Sequence, residues 1–315
     1  MTTYKELEGT NIEIVSSDPS NPVNGQVWYN TTSNVLKGFK SVNAWASTNS
    51  MNTGRAYLAG GGTQTSALSF GGEPGSGTTA DTESYNGTNW TEVNNLNSTR
   101  RNLGGCGEDN TNALCMGGFP GYVAITESWN GTNWTEVNDL NTGKRNMGVT
   151  GTNTSALVAA GAEPASTADT ELWNGTNWTE VNDLNTARSE LAASGTPSGA
   201  LAFGGNVSPD AQTESFNGTN WTEVNDLNTG RGYLAGTGTH TAALAYGGYS
   251  TTVLAVNESW NGTNWTEVGD LNTARYGLAG SGIQSAALAF GGQAPAYSTA
   301  SEAWDADVTV TFDDT

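Results

Sequence analysis

Basic residues are scarce. Eleven Lys and Arg face 31 Asp and Glu across 315 residues, for a formal net charge of −20. No basic cluster interrupts this acidity, which argues against a nucleic-acid backbone or an anionic membrane as partner. Histidine is scarcer still: His240, in GTGTHTAAL, stands alone. One imidazole cannot build a His-rich metal site, and no nucleophile elbow accompanies it. A solvated turn residue is the simpler reading. Cys106 and Cys115 are the only cysteines, in CGEDNTNALC, a spacing that is neither a zinc motif nor a disulfide framework. They are expected on the first two strands of one hairpin, as small core residues, with a pair facing each other across it as the alternative. Apolar runs stop at four or five residues, too short to span a membrane. The stretch MTTYKELEGTNIEIV has no apolar h-region, so no secretory signal is expected. These shortages together predict no catalytic residues, no transition metal, no organic cofactor, no nucleic-acid partner and no membrane insertion. Calcium stays open, given the acidity.

Glycine, by contrast, is abundant at 42 residues, and eleven Trp recur at fixed intervals. Large apolar groups spaced this regularly belong to a packed core, not a disordered chain. The motif NWTEV places Trp90, Trp134, Trp178, Trp221 and Trp265 at spacings of 44, 44, 43 and 44, and a degenerate copy, NAWAST, adds Trp45. LNTAR follows at a near-constant offset, giving Arg55, Arg100, Lys144, Arg188, Arg231 and Arg275. A Leu or Met comes next, then an ALAFGG-type segment with a glycine doublet, which the third copy replaces with Ala160-Gly161. A TESW-NG segment closes each copy, with Tyr85, Trp129, Trp173, Phe216, Trp260 and Trp304 as its aromatics.

Each copy holds four short strand candidates bounded by Gly, Asn and Asp; in the fourth they are SELAASG, GALAFGG, TESFNG and NWTEVND. Asn-Gly before TNWTEV predicts a tight two-residue hairpin turn with positive φ. Four strands in about 44 residues is one propeller blade, and an internal period overrides the two-domain prior of this length.

The glycine doublet, the aromatic, the Trp and the basic residue, in that order, resemble the Kelch repeat; in one copy they read Gly117-Gly118, Trp129, Trp134 and Lys144-Arg145. The resemblance covers residues 42 to about 304. The gap from aromatic to Trp is five where Kelch blades have about six, so the copies are a divergent variant. The implied fold is all-β: a six-bladed Kelch-like propeller with a short N-terminal β-hairpin extension. Some Kelch enzymes are copper oxidases with His and Tyr ligands; with His240 alone, that activity is not carried over.

Domain organisation follows. Residues 1–41 read as an attachment segment: a strand at Asn11–Val15, a DPSNP turn, and a hairpin with strands near Gln26–Tyr29 and Val35–Phe39. Residues 42–307 form the propeller and 308–315 a tail strand, VTVTF. The first copy opens with its outermost strand, around Ala44–Thr48, and the last ends with its third, around Ser301–Asp305. The strand of Trp45 should therefore lie beside that of Trp304. NGQVWYNTTSNVLKGF is similar to a short β-hairpin module of phage tail-fibre and other virion proteins. With the Asn/Gly/Thr-rich copies, it suggests a phage of aquatic bacteria.

Recurrence sorts structural residues from functional ones. Glu83, Glu127, Glu171, Glu214, Glu258 and Glu302 return once per copy, so they read as partners of the recurring Arg or Lys, not as glycosidase carboxylates. The recurring Trp should pack between blades or against the preceding aromatic. Sequons such as Asn86-Gly-Thr88 fall on the hairpin turn and read as turn chemistry. By contrast, the segments after the glycine doublet diverge: EPGSGTTAD, FPGYVAI, EPASTAD, NVSPDAQ, YSTTVLAVN and QAPAYSTA. Divergent loops on a constant scaffold are free to bind. Phe119, Tyr122, Tyr249 and Tyr297 are the candidate ligand contacts there, on the face shared with the LNTAR loops. The expected function is a non-enzymatic virion protein, a tail fibre or surface protein for host adhesion. It would be made in the host cytoplasm and be oligomeric in the particle. The N-terminal segment would hold other virion proteins, and the propeller a host-surface glycan or protein. The alternatives are a purely structural or decoration subunit and a polysaccharide-acting enzyme.

Overall fold

The computed structural model describes residues 12–19, 26–206 and 211–312, without the side chains of 39–42 and 307–312. Every regular element among them is a β-strand. The chain divides into a larger unit, residues 44–304, and a smaller one formed by 1–43 and 305–315.

The larger unit is propeller-like. Five of its sheets have four antiparallel strands ordered as they follow in the chain. Their first strands are Ala59–Gly62, Gly104–Asp109, Gly148–Gly151, Ala192–Thr196 and Ala235–Gly238. Their last are Trp90–Val93, Trp134–Val137, Trp178–Val181, Trp221–Glu223 and Trp265–Val268. In the remaining sheet, Ala279–Ile283, Ala286–Phe290 and Ser301–Phe312 are followed by Val35–Thr48, so the start of the repeat region lies beside its end. Trp45 and Trp304 meet there with ring centroids 5.7 Å apart, and Asn272 donates to the Trp45 carbonyl at 3.0 Å.

Apolar clusters fill the spaces between consecutive sheets. Leu68 and Phe70 of one sheet, for example, pack with Ala113, Cys115, Trp129 and Trp134 of the next. Each Trp that opens a fourth strand is buried, near its own sheet's aromatic and the preceding sheet. The Trp134, Trp178, Trp221 and Trp265 indoles donate to the hydroxyls of Thr82, Thr126, Thr170 and Thr213, one sheet back, at 3.1–3.2 Å. Trp90 reaches Ser301 at 3.0 Å in the same way. At the closing junction Asn257 replaces the Thr, and the Trp45 indole N–H is buried without a partner.

Ion pairs hold the LNTAR loops. Arg55–Glu83, Arg100–Glu127, Lys144–Glu171, Arg188–Glu214, Arg231–Glu258 and Arg275–Glu302 span 2.5–3.1 Å, all of them buried. The same carboxylates accept the loop's backbone N–H, as Glu127 does from Asn97 at 2.8 Å. Buried charges persist only when paired and hydrogen-bonded, and this arrangement supplies both.

Four details depart from the sequence expectations. The Asn-Gly connections have four residues, since Tyr85 pairs with Trp90, and only the glycine takes positive φ. Asn86 closes that loop by accepting the N–H groups of Thr88 and Asn89, an Asx turn that needs no left-handed Asn. Cys106 lies opposite Leu114, and Cys115 opposite Gly105. Adjacent residues point to opposite faces of a sheet, so the two thiols enter different clusters and do not face each other. In the third copy EPASTAD is no loop, because strands Ala156–Glu163 and Ala165–Trp173 run on as a long hairpin. Finally, 35–39 and 44–48 belong to one strand, and the VTVTF tail continues strand Ser301–Phe312.

In the smaller unit, Glu13–Val15 pairs parallel with Val27–Asn30, which pairs antiparallel with the start of Val35–Thr48. Asp18 ties them together, accepting from the Trp28 indole at 3.0 Å, Asn30 at 2.7 Å and Lys37 at 2.7 Å. Asn11 and residues 20–22 of the DPSNP segment lie outside the described residues.

Candidate functional site

Between the constant Arg or Lys and the constant Leu or Met stand two variable residues, alike only in the second and third copies: Ala56-Tyr57, Arg101-Asn102, Arg145-Asn146, Ser189-Glu190, Gly232-Tyr233 and Tyr276-Gly277. The second residue of each pair is left-handed, with φ of 53°, 54°, 57°, 65°, 52° and 61° in chain order. Five of the six are not glycine; Asn102 and Asn146 tolerate this conformation, and for Tyr57, Glu190 and Tyr233 it costs roughly 1–2 kcal/mol each. The backbone bonds they make explain why it persists. Asn102 N–H donates to Tyr57 C=O, Asn146 to Asn102, Glu190 to Asn146, Tyr233 to Glu190, Gly277 to Tyr233 and Tyr57 to Gly277, at 2.7–3.0 Å. These six bonds form a closed ring joining each repeat to the next.

The first residue of each pair bonds to the residue after the glycine doublet. Ala56 pairs with Glu73, Arg101 with Phe119, Arg145 with Ala162, Gly232 with Tyr249 and Tyr276 with Gln293, while Ser189 bonds Asn206. Every copy thus has three variable positions beside the ring. Most of them line a cavity of about 690 Å³ that takes in Tyr57, Arg101, Asn102, Arg145, Asn146, Glu190 and Tyr233, with Tyr297 from a divergent loop.

The cavity is chemically divided. On one side, the Tyr57 and Tyr233 rings stand 5.4 Å apart; Tyr276, outside the lining, packs on both at 6.1–6.2 Å and on Tyr249 at 5.6 Å. Burial raises the Tyr57 hydroxyl well above the ordinary tyrosine range, helped by a hydrogen bond with Tyr276. Burial and a hydrogen bond to Glu190 raise Tyr233 likewise. Both therefore stay protonated donors at neutral pH. On the other side lie Arg101, Asn102, Arg145 and Asn146. Arg101 is ion-paired with Glu73, and Asn102 donates to Asn146 at 2.6 Å. Arg145 forms no ion pair among the described residues, and its guanidinium lies over the Tyr122 and Phe119 rings at 5.0 and 5.5 Å.

The four aromatics singled out in the divergent loops therefore fall into two groups. Phe119 and Tyr122 brace the arginines, with Arg101 4.8 Å from the Phe119 ring. Tyr297 lines the cavity itself and hydrogen-bonds Glu73, while Tyr249 stands 43% exposed behind Tyr276. Sequence reasoning missed the ring dipeptides because they sit between two constant positions, the Arg or Lys that ends LNTAR and the Leu or Met that follows. Variation between fixed neighbours was the signal that could have found them. Residues 207–210 of the NVSPDAQ loop lie outside the described residues.

The remaining candidates sit elsewhere. His240 is exposed in the turn between the first two strands of its sheet, where its carbonyl accepts from the Trp260 indole at 3.1 Å. Cys106 and Cys115 are buried free thiols that burial pushes up to about 12, which keeps them as unreactive thiols. No group of three or more His, Cys, Asp or Glu suited to a metal occurs among the described residues. No protein-family model matches the chain, and no curated protein matches it.

Proposed function

We propose that the chain is a six-bladed Kelch-like propeller acting as a non-enzymatic adhesin on a virion, and that its cavity takes a host-surface glycan. One observation carries the binding reading. Copies that share their strands, ion pairs and Asn-Gly turns vary beside the backbone ring, and most of those variable positions converge on a single polar cavity with Tyr57 and Tyr233 in its wall. Scaffold demands do not require such divergence. Tyrosine rings stack on the C–H faces of sugars, and Asn, Gln and Tyr side chains supply the hydrogen bonds that saccharide hydroxyls need. The virion part of the proposal rests on the resemblance of the N-terminal hairpin to tail-fibre modules. Ile14, 71% exposed in that unit, offers an apolar anchor for another virion protein.

Replacing Tyr122, Tyr249 and Tyr297 together with Ala tests the adhesive role. Two of these are among the exposed large apolar side chains and none belongs to the core clusters, so the melting temperature should stay within a few degrees. Adsorption of particles carrying the variant should fall at least tenfold. Unchanged adsorption would leave the purely structural subunit as the better reading.

A further inference from the structure

We infer that the cavity selects an acidic saccharide, reading its carboxylate with Arg145 while the tyrosine side holds the sugar ring; this rests on the glycan reading above. Seven cationic side chains line or flank the central ring and the LNTAR loops beneath it: Arg55, Arg100, Lys144, Arg188, Arg231 and Arg275 are each taken by a buried glutamate, and Arg101 by Glu73. Arg145 is the exception. It lines the cavity, pairs with no carboxylate among the described residues, and is held in place from behind by two aromatic faces. A guanidinium fixed in orientation yet left unpaired is suited to a bidentate carboxylate.

The overall charge of −20 does not defeat this. At physiological ionic strength, charges farther than about 8 Å are largely screened, so local groups decide. Of these, Glu73 is neutralised by Arg101, while Glu190 keeps its charge beside Tyr233 and so favours an acidic ligand orientation that points its carboxylate away, toward Arg145. Glu190 then suits a hydroxyl of the ring, with the carboxylate directed to Arg145. Tyr57 and Tyr233, across the cavity, present the apolar walls that a sugar face covers. A simple inorganic anion would use the arginine and leave those walls bare.

Titration calorimetry with tetragalacturonate and its carboxyl-reduced counterpart separates these contributions, since the two probes differ only in carboxylate against hydroxymethyl. The intact chain should bind the acidic tetramer roughly 10- to 100-fold more tightly, the range of one charge-assisted hydrogen bond pair. Arg145→Gln should abolish that preference and leave affinity for the reduced probe unchanged. Arg145→Lys, which keeps the charge but not the fork, should retain part of it. Tyr233→Gly should weaken both probes alike. Equal binding of the two tetramers by the intact chain, or a preference untouched in Arg145→Gln, overturns the arginine assignment while the glycan reading stands. Binding of a glutamate-rich peptide or free phosphate as tightly as the acidic tetramer overturns it too, by showing a general anion site. Binding of neither tetramer overturns this inference, and a glycan array without any ligand sinks the reading beneath it.

Discussion

The Trp178 indole shows how one residue type can hold a whole repeat. Its ring packs on Trp173 at 5.3 Å, and its N–H reaches Thr126 of the preceding sheet. Trp178→Ala should therefore lower unfolding free energy by about 3–5 kcal/mol, the range for removing a large buried aromatic. Denaturant melts check this, and a loss under about 1 kcal/mol would mean the indole is dispensable. Such residues were legible from the sequence because they recur, as were the glutamates, including Glu127 and Glu171, beside their Arg or Lys partners. Arg145 was not, since it stands next to Lys144 and the pair reads as one basic step. Only the geometry shows that Lys144 turns inward to Glu171 and Asp169 while Arg145 turns to the cavity.

At the scale of strands and turns, legibility follows how local the determinants are. Glycine doublets, Asn-Gly turns and alternating strands were placed within a residue or two. The lengths of Val35–Thr48 and Ser301–Phe312 were not, because each strand serves two units and no local breaker marks where one task ends. The turn type was misjudged because Asn86 caps the loop through its side chain, which composition does not distinguish from a left-handed Asn. In the smaller unit, Asp18 makes a specific claim about pH. Its hydrogen bond with Lys37, then those with Asn30 and Trp28, lower its carboxyl from 3.8 to about 2. A depressed carboxylate contributes stability above its unfolded value and loses it as pH falls through the folded one. The hairpin contacts should thus hold down to about pH 4 and weaken between pH 4 and 2. The Trp28 indole N–H resonance, followed by NMR, should titrate with a midpoint near 2. A midpoint near 3.8, or no change in Asp18→Asn, would show that the three bonds do not form in solution.

For the molecule as a whole, the repeat separates two tasks that most folds mix. Constant positions build sheets, ion pairs and inter-sheet indole bonds, and most of the variable positions beside the ring line the cavity. The link between the tasks is the ring of left-handed residues, which joins repeats through the backbone while its side chains are free to vary. This arrangement was invisible from the sequence, since a left-handed Tyr or Glu has no signature of its own. It also supplies an unusually clean test. At Tyr57 and Tyr233 glycine should suit the backbone better than tyrosine does, as Gly277 already shows in the sixth copy. A double Tyr57→Gly, Tyr233→Gly variant therefore removes two walls of the cavity without straining the ring. Its affinity for whichever saccharide binds the intact chain on a glycan array, measured by calorimetry beside its melting temperature, tests the central claim. The account predicts at least a tenfold loss of affinity with a melting temperature unchanged or raised. Retained affinity in a stable variant would contradict it, and would place the ligand elsewhere on the molecule.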